Sequence, residues 1–72
     1  MKEYLFLLSS ITSAMKGEKI LIKNGFRASV YKDTSTNPYG CGYIIKAFGE
    51  KEKMAAILKN SGIRINEIRE SR

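Results

Sequence analysis
The chain has 72 residues, with 13 Lys and Arg against 7 Asp and Glu, a net charge of +6, no His and one Cys. That length gives a single domain, 1–72, with a modest core and no room for a deep cleft serving several substrates. The missing histidine removes the usual neutral-pH general base, and a lone Cys excludes an internal disulfide and a four-ligand zinc site.

No metal and no cofactor is therefore expected. A carrier, a binding module or an accessory subunit fits better than a stand-alone enzyme. Small extracellular domains are usually stapled by disulfides, so the lone Cys points to a reducing, cytoplasmic setting. The basic balance favours polyanionic partners, although the cations are spread along the chain and the bland reading is a solvated basic surface.

Tyr4 to Leu8 is an apolar run of five residues. A signal-peptide core needs ~7–15 and a membrane span ~20, so no membrane partner is expected. The run suits a strand apolar on both faces. Ser9 and Ser10 follow as helix caps. Ile11 to Asn24 reads as a helix stopped by Gly25. Within it Ala14, Gly17 and Leu21 share a face, and Gly17 there allows close approach to a sheet. Glu18 sits at the stripe's edge, where an ion-paired or snorkelling residue is the ordinary reading.

Phe26 to Lys32 alternates as a half-buried strand. Asp33 to Pro38 reads as a polar loop. Gly42 to Phe48 is a third strand. Gly49-Glu50 opens a second helix with Glu50 and Glu52 in its positive first turn. Met54, Ile57 and Leu58 form its stripe, and Ser61-Gly62 stops it. Ile63 to Ile68 is a fourth strand. The order strand, helix, strand, strand, helix, strand predicts an α+β, ferredoxin-like βαββαβ two-layer sandwich. Its four-stranded antiparallel sheet carries two helices on one face.

This topology brings the end of the first strand, the start of the first helix and the turn before the third strand to one end of the sheet. Cys41 belongs to that end, near Ser10, Thr12 and Ser13. Strand parity sets Cys41, Tyr43, Ile45 and Ala47 on the helix side, and Ile44, Lys46 and Phe48 on the open side. A thiol near a helix N-terminus has a lowered pKa and more thiolate. Gly40 and Gly42 on either side permit a tight turn and close approach. The competing reading of Cys41 is a small buried hydrophobe in a tight hairpin.

The whole pattern resembles a family of small bacterial and archaeal domains described as selenium/sulfur carrier proteins. The likeness runs from the Tyr4-to-Leu8 strand and the Ser/Thr helix start, through Ala14-Met-Lys-Gly-Glu-Lys-Ile-Leu21, to Cys41-Gly42 before an apolar strand and Gly62-Ile63 after the second helix. The resemblance implies that Cys41 holds a persulfide or selenide, and that donor and acceptor proteins are the partners. The segment Asn37-Pro-Tyr-Gly40 departs from the small hydroxyl residues often found before the family's cysteine.

A second reading is an RNA-binding module of RRM-like fold, in which sheet aromatics stack bases. Tyr39-Gly-Cys-Gly-Tyr-Ile-Ile-Lys46 keeps both glycines, Tyr43 and Ile44 of that motif's signature. It lacks the leading basic residue and two aromatics. Parity opposes it, because an outward Tyr43 would drive Lys46 inward. A third reading is a structural or interaction protein forming a homodimer through its open sheet face. Tyr31, Tyr39 and Lys32 are further candidates to border the loop, with ordinary surface residues as the default.

Overall fold
The computed structural model describes residues 2–33 and 42–70. The elements run β1 (Glu3–Leu8), α1 (Ile11–Lys23), β2 (Arg27–Asp33), β3 (Gly42–Phe48), α2 (Lys51–Asn60) and β4 (Glu67–Glu70). The sheet order is β2-β3-β1-β4 and every pairing is antiparallel. This is the ferredoxin-like βαββαβ sandwich expected from the element order.

The apolar runs partition as a two-layer sandwich demands. On the helix side Phe6, Leu8, Ile45 and Ala47 are buried with Ala14, Leu21, Met54, Leu58 and Ile63. On β1 the opposite parity, Leu5 and Leu7, takes the open face, beside Ile44 and Lys46 in register. Tyr43 packs against the core with Val30 and Ile68. The parity expected for Tyr43, Ile45, Ala47 and Lys46 therefore holds.

Gly17 lets α1 sit close to both layers. A Cβ built on it would lie 2.8 Å from Ile45 Cδ1 and 3.0 Å from Leu58 Cδ2. Helix, sheet and second helix meet at this residue.

Both helices stop by the same device. Gly25 and Gly62 have φ of 90° and 79°, a left-handed geometry that favours glycine. The N–H of the next residue then reaches back to a leucine carbonyl: Phe26 N to Leu21 O at 2.9 Å, and Ile63 N to Leu58 O at 3.0 Å.

Several boundaries differ from the sequence reading. α1 ends at Lys23, with Asn24 as its C-cap. β2 is Arg27–Asp33, so Asp33 is strand rather than loop. The largest shift is β4, expected over Ile63 to Ile68 and found over Glu67–Glu70. The turn after α2 folds Ile63 back onto Leu58 and into the core, so Ile63 leaves the strand. Asn66 N–H donates to Leu7 O at 2.8 Å and starts the pairing with β1. The expected loop beyond Asp33, together with Gly40 and Cys41, lies outside the described residues. Among the described residues no helix is long and apolar enough to cross a membrane.

Candidate functional site
The end of the sheet at which β1 stops is built from four chain segments. β1 finishes at Leu8, and Ser9-Ser10 turn the chain into α1. Ser10 caps the helix: its Oγ accepts from Ser13 N–H at 3.3 Å. The first turn of α1 holds no acidic residue, so its positive dipole end is not neutralised locally.

β3 begins at the same end. Leu8 pairs with Tyr43 in register, and a Cβ on Gly42 would lie 2.9 Å from Leu8 O. Only glycine fits there without moving the backbone, and it holds the start of β3 against the end of β1.

The fourth segment is the connection from α2 to β4. It brings Arg64 and Asn66 to the α1 N-terminus, where Ser9, Ser10, Ser13, Arg64 and Asn66 line one shallow hollow. Asn66 Nδ2 donates to Ser9 Oγ, which ties β4 to the β1–α1 turn. Arg64 is exposed and has no carboxylate partner among the described residues. A guanidinium, three hydroxyls, an amide and a helix N-terminus together make a surface suited to an anion.

Of the residues read from sequence, Ser10 and Ser13 line this hollow and Gly42 stands at the adjoining strand start. Thr12 is exposed and does not line it. Gly40, Cys41 and Tyr39 lie outside the described residues. Arg64 and Asn66 escaped sequence reading. The signal was topological: the α2–β4 connection returns to the end where α1 begins, and Arg64 is its cation.

The open face offers a different chemistry. Lys46 Nζ stands 5.3 Å from the centre of the Tyr31 ring and 3.5 Å from Glu3 Oε2. Arg69 is paired with Glu67 at 2.6 Å. Two of the face's cations are thus already matched by carboxylates, and Tyr43 points to the other side. Comparison of the chain with family models, with curated proteins and with solved structures finds no match in any of the three.

Proposed function
We propose that the protein is a sulfur or selenium carrier that holds a persulfide or selenide on Cys41. The observation that carries this reading is a convergence at one end of the sheet. Gly42, the neighbour of Cys41 in sequence, packs on the Leu8 carbonyl. Beside that strand end stand an α1 N-terminus without acidic residues and Arg64, which has no carboxylate partner among the described residues. A thiolate and a terminal persulfide are both anions, and this end of the molecule favours both.

The transfer is a thiol exchange. The Cys41 thiolate attacks the outer chalcogen of a donor protein's persulfide or selenopersulfide. A bond forms from Cys41 Sγ to that atom, the donor's S–S or S–Se bond breaks, and the donor cysteine leaves as a thiolate with the electron pair. No net oxidation occurs and no general base is needed once Cys41 is ionised. The acceptor repeats the step in the other direction.

The test is the pH dependence of Cys41 alkylation in the folded protein and in the unfolded chain. A folded pKa clearly below the ordinary thiol value of ~8.5 is expected, with Arg64→Glu raising it. Incubation with a persulfide donor then adds one sulfur to Cys41, read by mass. A folded pKa at or above that of the unfolded chain, or no sulfur gained from any donor, sinks the reading.

The RNA-binding reading loses its main support. Tyr43, the aromatic that matched the motif, packs with the helix side of the sheet.

A further inference from the structure
The two edges of the sheet are protected unequally. β4 has four residues, three of them charged, and Lys2–Glu70 and Arg69–Glu67 pairs decorate it. Short charged edges resist pairing with other chains. β2 has seven residues and, among the described residues, is paired by β3 on one side only. It carries no proline, and its middle, Ala28 to Tyr31, is uncharged.

Beside that edge α1 carries a second apolar stripe. Ile11, Met15 and Ile22 are 41%, 50% and 53% exposed. At helical spacing they fall on one flank, about 100° round from the buried Ala14, Gly17 and Leu21. Glu18, half-buried between the two stripes, is the polar interruption. Ile22 borders the same depression as Arg27, Ser29 and Tyr31 of β2. Ser13, on the other flank, borders Arg64 and Asn66. The stripe therefore overhangs the free edge of β2.

We infer that this edge is a homodimer interface. β2 pairs antiparallel with β2 of a second copy about a two-fold axis through Val30, and the two α1 helices lie side by side over the joined sheet. The strand is self-complementary in that register. Val30 meets Val30, Ser29 meets Tyr31 and Ala28 meets Lys32. Position 27 meets position 33, so the strands pair over their whole seven-residue length.

The helices agree with the strands. α1 lies over both β2 and β3, so its axis stands about half a strand spacing inside β2. With strands ~4.8 Å apart, the two α1 axes fall ~10 Å apart, a helix-packing distance. Gly17 approaches Ile45, and Ile45 is the register partner of Val30. The axis through Val30 therefore crosses α1 near Gly17, which is also the middle of the stripe. Ile11 of each copy then meets Ile22 of the other. Strand register and helix stripe are separate features of the sequence, and they share one axis.

Sedimentation equilibrium from micromolar to millimolar protein tests this, with circular dichroism confirming the fold of each variant. A monomer–dimer equilibrium is expected, tightened by added salt because each copy carries +6 and screening weakens that repulsion. Ile11→Lys and Ile22→Lys alter exposed side chains, and each weakens the dimer by at least about 10-fold. A strict monomer at millimolar protein overturns the proposal and leaves the edge for another partner. So does a dimer indifferent to these variants, or one lost only through Ile44→Lys on the open face. None of these outcomes depends on Cys41.

Discussion

The two halves of the chain, β1-α1-β2 and β3-α2-β4, end their helices alike and begin them differently. At the C-termini the match is close. Leu21 and Leu58 accept the closing bonds, Gly25 and Gly62 make the left-handed turn, and Phe26 and Ile63 follow into the core. Even the cap side chains agree: Asn24 Nδ2 donates to Ile20 O at 2.8 Å, and Ser61 Oγ to Ile57 O at 3.0 Å. At the N-termini Ser10 bonds the first turn of α1, whereas Glu50 makes no side-chain cap bond on α2. α2 has Glu52 in its first turn and α1 has no acid there. The stops are architecture and need only to be made twice. The starts are where the halves differ, and the end left electropositive is the one beside Gly42.

The halves are fused at Gly17, so the largest effect is expected there. Gly17→Leu drives a side chain into Ile45 and Leu58 from a Cβ already 2.8 and 3.0 Å from them. Overpacking of this kind costs ~3 kcal/mol or more in a core this small, and urea unfolding reads it. Gly17→Ala meets only the movable ends of those side chains and gains helix propensity worth up to ~1 kcal/mol, so it loses much less. Equal losses from Ala and Leu would mean that close packing is not why glycine stands here.

Much of this architecture was legible in the chain because its signals are local. The Ser10 cap, the glycine stops and the alternation of β3 each lie within a few residues, and parity alone set Tyr43 inward and Lys46 outward. β4 was misplaced because Ile63 and Ile65 alternate like a strand, while the turn at Gly62 hands Ile63 to the helix–sheet core instead. Arg64 was missed for a related reason. It lies in no periodic element, and only the return of the α2–β4 connection carries it to the α1 N-terminus, fifty residues away in sequence. Contacts of that range leave no pattern in a single chain.

The shared stop gives the next prediction. A Cβ on Gly25 or Gly62 meets nothing within 4 Å, so the cost of alanine at either is backbone strain alone. Gly25→Ala and Gly62→Ala should each lose ~1 kcal/mol and by similar amounts. A loss at one site only, measured by urea unfolding, would show that the two stops are alike in geometry but not in energy. The unequal starts predict the reverse. Ser10→Ala should lose ~0.5–1 kcal/mol with the cap bond. Glu50→Ala, with no cap bond to lose and only an exposed pair to Lys53, should stay within about 0.5 kcal/mol. Equal effects would remove the distinction between the two N-termini.

The smallest effect concerns the last strand of the second half. The hydrogen bond from Arg69 holds the Glu67 carboxyl below its ordinary value, against a weaker opposing push from burial. A carboxyl lowered in the folded state binds its proton more readily in the unfolded chain. Its contribution is therefore present above the unfolded value and lost as pH falls through the folded one. The hydrogen bond from Lys2 to Glu70 raises the lysine, so that contribution is present below the unfolded lysine value and lost as pH rises through the folded one. Both groups are exposed, and both effects are small. Melting temperatures of the parent and Glu67→Gln should converge as pH falls below the carboxylate range and separate, parent higher, towards neutrality. Parallel profiles would mean that the Glu67–Arg69 pair only decorates the β4 edge. The charge there would then serve to repel strand pairing, which the first half does not guard against along β2.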